Sequence, residues 1–247
     1  MITKCVVSAK KNSQNPTKKK ELVTIILLSD KFGHRMKSYG PLSLIPILNK
    51  KLIDIQIQAI KEVFNNFELI LCCGTDAEKI YKHIGTKHSD IRFRLVENQE
   101  HDSSNSCESL RLCLNNTDNT KIIVCDGGLI LTKALLYCVE LKHSCVICEK
   151  KNETLEVGLN SCKNNYVEHF SFGATLSWSE IMFLNNQEII NSFRKILTSY
   201  ESKNRLLFEG INELLLAGHK IKNITNSSNN STIKINNIKT YHSIKGI

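Results

Sequence analysis

Residues 23–60 read VTIILLSDKFGHRMKSYGPLSLIPILNKKLIDIQIQAI, and the fold follows from how this stretch divides. Leu22–Ser29 is a continuous apolar run rich in β-branched residues. That composition suits a strand buried on both faces, since a half-exposed strand would alternate. A turn and a Pro-bounded loop follow, punctuated by Gly33, Gly40, Pro41 and Pro46. Ile53, Ile57, Ile60 and Phe64 then recur at helical spacing, with Lys61 and Glu62 off that stripe, which predicts an amphipathic helix.

The pattern repeats outward. Phe67–Cys73 reads as a second buried strand ended by Gly74, and Thr75 or Asp76 caps a helix running through Ile84. Ile91–Val96 alternates as a third strand, Ser106–Leu114 is a short helix, Lys121–Cys125 a fourth strand, Thr132–Glu140 a helix and Ser144–Glu149 a strand. From Thr154 to Leu176 short β patterns follow one another, at Leu155–Leu159, Tyr166–Phe170 and Ala174–Ser177. Glu188–Tyr200 and Arg205–Leu216 are amphipathic helices, the second ended by Gly218. Residues 225–232 are a polar loop before a last strand, Thr232–Ile235. Alternation of strands and helices over the first 150 residues predicts an α/β fold: a Rossmann-like, mixed but mostly parallel sheet with right-handed crossovers, flanked by helices. A ligand site then belongs at the carboxyl ends of the strands, on residues 29–36, 73–76, 97–109 and 126–130.

Charge is uneven along the 247 residues. The formal net charge is +9, yet residues 1–20 hold six lysines and no acid, and residues 218–247 hold five lysines and no acid, which leaves −2 for the body. A nucleic-acid groove needs its basic residues on the folded body, so nucleic acid is not the expected partner. The basic ends read as solvated tails, with residues 1–20 a flexible arm and residues 21–247 a single domain. If they bind anything, an acidic protein partner is the expectation. No apolar run reaches the roughly 20 residues that a spanning helix requires, and no apolar leader opens the chain, so no membrane role is expected. Ten cysteines without a secretory signal point to thiols kept reduced in a cytosol-like compartment.

Four segments resemble the sugar-phosphate nucleotidyltransferases, the NDP-sugar pyrophosphorylase superfamily, and feel closest to its cytidylyltransferase-type and bacteriophage or capsule branches. Leu28-Ser-Asp-Lys-Phe-Gly-His-Arg-Met36 is similar to the family's L-A-A-G-x-G-x-R-M, with Gly33, Arg35 and Met36 matching and Lys31 in place of the first glycine. Pro41-Leu-Ser-Leu-Ile-Pro-Ile47 followed by Asn49-Lys-Lys-Leu-Ile-Asp54 resembles P-K-P-L-L-P-V and N-K-P-L-I-D, with Leu42 where the family has a phosphate-binding lysine. Glu97–Leu110 resembles the stretch that meets the base, Asn105 and Ser109 matching. Ile122-Ile-Val-Cys-Asp-Gly-Gly-Leu129 resembles i-l-v-l-n-G-D-v. Aligned without gaps, Gly128 stands at the metal-binding Asp, and a shift of two residues makes Asp126 the ligand. Near the end, Asn236 stands at the second metal Asp.

The resemblance implies a nucleotide-binding half at 21–150 and an acceptor-side half at 151–247. It implies nucleotide contacts at Lys31, Gly33, His34, Arg35, Asn105 and Ser109, catalytic roles for Arg35 and Asp126, and Mg²⁺ at Asp126 and Asn236. Because Lys31, Leu42, Gly128 and Asn236 depart from the pattern, the sequence favours a fold that has kept its frame and lost charge at the site. The expected product is a non-catalytic binding, regulatory or assembly protein without a cofactor, structural in a virion if the source is viral. The alternative is an active Mg²⁺-dependent enzyme joining CTP or UTP to a sugar phosphate or small phosphoalcohol. Cys145-Val-Ile-Cys148 lies within a strand without a second pair and reads as buried thiols. The eight histidines form no metal motif, and Trp178, near Phe172 and Phe183, reads as packing at a subdomain boundary.

Overall fold

Strand β1 (Val23–Leu28) is buried along its whole length, as its apolar run predicts. Val23, Ile25 and Leu27 enter one core and Ile26 and Leu28 the other, which is the period-2 alternation of a central strand. The computed structural model describes residues 18–150, 156–226 and 232–245. The arm before residue 18, the start of the strand expected at Leu155 and most of the polar loop at 227–231 lie outside them.

The elements run β1, a hairpin of β2 (Pro46–Ile47) and β3 (Lys50–Lys51), α1 (Leu52–Val63), β4 (Phe67–Cys73), α2 (Ala77–Lys87), β5 (Arg92–Glu97), α3 (Ser106–Leu114), β6 (Lys121–Asp126) and α4 (Lys133–Cys138). They continue with β7 (Cys145–Glu149), β8 (Val157–Ser161), β9 (Val167–Phe172), β10 (Leu176–Asn185), α5 (Gln187–Leu197), α6 (Leu207–Leu216), β11 (Lys222–Thr225) and α7 (Ile238–Lys245). The sheet order is β11-β7-β10-β6-β1-β4-β5, with β8 joining β10 and β9 joining β8. Pairs β1·β4, β1·β6, β4·β5 and β7·β11 are parallel, and β10 runs antiparallel between β6 and β7.

Helices α1, α2 and α4 cover one face through Ile53, Ile57, Ile60, Ile80, Ile84 and Leu135. Helices α3, α5 and α6 cover the other through Leu110, Cys113, Ile189, Phe193, Ile211 and Leu214. Buried Asp54 ties α1 to α2: it accepts the Lys51 N–H (3.1 Å), and bonds to His83 Nε2 (2.8 Å), His88 Nε2 (2.8 Å) and Lys87 Nζ (2.7 Å). Among the described residues every cysteine is a free thiol, Cys145 and Cys148 buried in β7, and no helix is long and apolar enough to cross a membrane.

Three sequence expectations change, and one helix is additional. Lys19, expected in a flexible arm, is tied to the fold: its N–H donates to Val63 O (2.9 Å), its carbonyl accepts from Asn65 N (3.0 Å), and its ammonium reaches the carbonyls of Leu136 and Val139. Strand β10 extends eight residues past Ser177, its alternation hidden by a β-bulge between Trp178 and Met182. The strand expected at Thr232–Ile235 reduces to one antiparallel bridge, Lys234 to Leu129. Helix α7 lies beyond the last element expected from the sequence and packs buried Tyr241 and Ile244 on Met36, Leu42, Ile45, Ile47 and Leu52.

Candidate active site

The carboxyl ends of β1 and β6 lie side by side, Leu28 opposite Asp126, and the chain beyond them opens into a cleft of about 350 Å³. That volume is within the usual range for small-molecule sites. Its walls bring together Asp30, Lys31 and Gly33 after β1, Asn105 and Ser106 at the start of α3, Asp126, and Asn236. A second lobe of about 520 Å³ opens toward β7–β10, with Glu149, Glu156, Ser177 and Ser179 on its wall. The two lobes share Val157, Phe172, Trp178, Glu180, Lys234 and Asn236.

At this junction Lys234 Nζ is 3.0 Å from Asp126 Oδ2 and 2.5 Å from Glu180 Oε2. Glu180 reaches the junction through the β10 bulge, where its backbone has a φ of 54°. Bulges re-aim side chains in this way, and a left-handed residue other than glycine costs roughly 1–2 kcal/mol. Burial, and then the Asp126 charge, raise the Glu180 carboxyl above the ordinary carboxylate range. Burial works to lower the Lys234 ammonium, but the Asp126 and Glu180 charges outweigh it and hold it above its ordinary value. These are the desolvation and charge-pair effects expected of a clustered ionic site.

Asp126 is held from below. Its Oδ1 accepts the Gly128 N–H at 2.7 Å, and Gln56 Nε2, fully buried on α1, donates to the carbonyls of Gly127 (2.9 Å) and Leu129 (2.8 Å). The choice between Gly128 and Asp126 left open by the alignment has a steric side. A Cβ at Gly128 would come within 2.8 Å of the Ile235 carbonyl, and of the two positions it is Asp126 that brings a carboxylate to the cleft wall.

The other sequence-predicted residues divide. Lys31 lines the cleft, and its ammonium donates to the carbonyls of His101 and Ser104, tying the loop before α3 to the loop after β1. Gly33 lines the cleft too, but its missing Cβ makes room for the Met36 sulfur (2.6 Å) and the Asn236 backbone (3.2 Å) rather than for a ligand alone. The His34 N–H donates to Asn236 O (2.8 Å) while its ring is exposed. Arg35, in a left-handed conformation, is exposed and off the cleft wall. Asn105 lines the cleft, its amide donating to Asn204 O (2.8 Å). Ser109 is fully buried and donates to Asp30 Oδ2 (2.7 Å), alongside Asn98 Nδ2 (2.9 Å), so it supports Asp30 beneath the cleft wall. Leu42 is buried against α7 and shows one methyl group to Gly128.

Asp30, Glu180, Lys234 and Gln56 were not singled out from the sequence. Asp30 and Gln56 carry a readable signal, a polar residue inside an apolar frame. Glu180 and Lys234 meet only through the bulge and a separation of 54 residues.

The donor set does not fit a protein-held Mg²⁺. Such an ion takes one or two carboxylate oxygens plus phosphates and water, and here the Asp126 oxygens are engaged by Gly128 N–H and Lys234, and Glu180 Oε2 by Lys234. Asn236 is neutral and its Oδ1 accepts from its neighbour Asn237 (2.6 Å). Among the described residues no three His, Cys, Asp or Glu side chains converge as a metal-binding group.

No family model matches the sequence, and no curated protein matches it. Solved structures match over nearly the whole chain. A CTP:phosphocholine cytidylyltransferase from Streptococcus pneumoniae is 18% identical, covers 91% of this chain and 98% of its own, and superposes with a TM-score of 0.70. An inositol-1-phosphate CTP transferase from T. maritima is 13% identical, with 90% and 94% covered and a TM-score of 0.70. A nucleoside-diphosphate-sugar pyrophosphorylase from Vibrio cholerae is 12% identical, with 91% and 100% covered and a TM-score of 0.72. The chain therefore has the nucleotidyltransferase fold.

Proposed function

We propose that this protein is a nucleotidyltransferase that joins a nucleoside triphosphate, CTP or UTP, to a phosphorylated alcohol or sugar and releases pyrophosphate. A phosphate oxygen of the acceptor attacks the α-phosphorus, the new P–O bond forms, and the bond to the β-phosphate oxygen breaks. One observation carries the reading: two lobes meet at a single ionic junction, Asp126–Lys234–Glu180. Two bound substrates need such a meeting point, because positioning supplies much of the rate in phosphoryl-type transfer. The likeness in fold to CTP-using enzymes supports it.

In this reading the lobe built on the β1 and α3 loops takes the nucleotide. Gly33 and Asn105 bound that lobe. Lys31, with two of its three N–H donors on carbonyls, offers its charge and remaining donor to phosphate. The lobe on β8–β10 takes the acceptor, with Phe172 and Trp178 as its apolar wall and the hydroxyl-bearing Ser177 and Ser179 beside them. The charge absent at Leu42 is supplied from Lys31 and Lys234, and the buried Leu42 serves packing.

The test is pyrophosphate release from CTP and UTP, each with phosphocholine, inositol 1-phosphate and glucose 1-phosphate, with and without MgCl₂. Release with one pair, abolished by Asp126→Asn, supports the assignment. Nucleotide binding without release from any pair returns the protein to the non-catalytic reading, and no binding at millimolar nucleotide overturns both.

A further inference from the structure

We propose that Lys234 is the resident cation of this site, occupying with its ammonium the place between two carboxylates that a divalent ion would otherwise take. Three observations carry it. Lys234 Nζ bridges Asp126 and Glu180 at 3.0 and 2.5 Å. Its backbone is pinned on both sides, by Ile130 N–H to Ile233 O (3.0 Å) and by Ile235 N–H to Gly128 O (2.9 Å), so the ammonium is positioned by the fold rather than by a free tail. Glu180 adopts a left-handed backbone inside a strand to meet it.

The consequence is chemical. A divalent ion would have to expel an ammonium already bonded to both carboxyl groups, and that ammonium keeps a third N–H donor at the junction of the two lobes. Resting on the nucleotidyl-transfer reading, this donor faces the phosphates of both substrates, and triphosphate binding does not require a metal held by the protein.

Two measurements test it. Mn²⁺ alone is titrated into the full chain, following free Mn²⁺ by electron paramagnetic resonance and quenching of Trp178, the single tryptophan, which lies on the walls of both lobes. The wild type is expected to bind no Mn²⁺ tighter than on the order of a millimolar. Lys234→Met frees the carboxylate pair and is expected to gain a site that quenches Trp178 and raises its melting temperature with Mn²⁺. CTP is then titrated by Trp178 fluorescence. The wild type is expected to bind with equal affinity in EDTA and in MgCl₂, whereas Lys234→Met loses about tenfold in EDTA and recovers with Mg²⁺. Should Lys234→Met not fold, Lys234→Arg keeps the charge and must keep metal-free CTP binding, and the wild-type Mn²⁺ titration decides by itself. Submillimolar Mn²⁺ binding to the wild type with Trp178 quenching overturns the proposal, as does a tenfold loss of wild-type CTP affinity in EDTA. Absence of CTP binding in either buffer overturns the nucleotidyl-transfer reading instead, and the Mn²⁺ titration still decides the cation.

Discussion

Replacing Gln56 by Leu removes one side chain of similar size and two hydrogen bonds, and the cost can be worked from the structure. Gln56 is fully buried and its Nε2 donates to Gly127 O at 2.9 Å and Leu129 O at 2.8 Å. Each buried carbonyl left without its donor costs about 1–3 kcal/mol. One offset exists: Gln56 Oε1 is itself buried without a partner, and its removal returns about 1 kcal/mol. The expected net loss is roughly 1–5 kcal/mol, centred near 3 kcal/mol. In urea melts with a slope near ~3 kcal/mol/M, the midpoint falls by about 1 M with the slope unchanged. Gln58→Leu, two residues along α1 but exposed, is the control and stays within about 0.5 kcal/mol. Because the two carbonyls flank the turn that carries Asp126, pyrophosphate release falls with stability in Gln56→Leu and not in the control. A Gln56→Leu midpoint equal to that of Gln58→Leu would refute the reasoning, since water or a relaxed turn would then satisfy both carbonyls.

Although burial works to raise it, bonds from Lys87, His88, His83 and the Lys51 N–H hold the Asp54 carboxyl below its ordinary value. A depressed folded value contributes stability that is complete above about pH 4 and lost as pH falls through the folded value. The stability gap between wild type and Asp54→Asn, measured by urea melts, is therefore constant above pH 5 and narrows below pH ~4. Glu180→Gly is expected to be more stable than Glu180→Ala by about 1 kcal/mol, because only glycine adopts the φ of 54° without cost. Equal melting of the two variants would show that the bulge relaxes. Gly128→Ala brings a Cβ to within 2.8 Å of the Ile235 carbonyl and is expected to cost about 1–3 kcal/mol in the same assay, with displacement of Lys234 visible as a change in Trp178 emission.

The frame of this fold is legible in residues 23–60 because burial there is continuous and the periods are clean: β1 is apolar at nearly every position and α1 places Ile53, Ile57 and Ile60 on one stripe. The β4 and α3 boundaries coincide with their sequence expectations, Phe67–Cys73 and Ser106–Leu114. Beyond residue 176 helices α5 and α6 stand where their stripes put them, but three other elements are hidden for physical reasons. Bulge residues Ser179 and Glu180 interrupt the apolar run of β10, β11 is a strand of four residues at the end of the sheet order, and α7 shows its stripe only through Ile238, Tyr241 and Ile244. The site is harder still. Lys234 counts as one more charge in a basic terminal stretch until the fold brings it to Asp126, and Arg35 matches a motif while its side chain points to solvent. Motif matching reads positions along the chain, whereas the cleft is assembled from backbone approaches such as that of Asn236 to Gly33.

The packing of α7 sets the order in which this molecule becomes complete. Tyr241 Oη donates to Pro46 O across 195 residues, and His34 and Asn237 pair across a similar span. Such contacts close the largest loops available to the chain, and loop-closure entropy is met before they return anything. During synthesis the strands from β1 to β6 are long since outside the ribosome when Lys234 emerges. Until then Asp126 and Glu180 face each other without their cation. The junction of Asp126 and Glu180 with Lys234 is therefore completed only by the docking of residues 233–244.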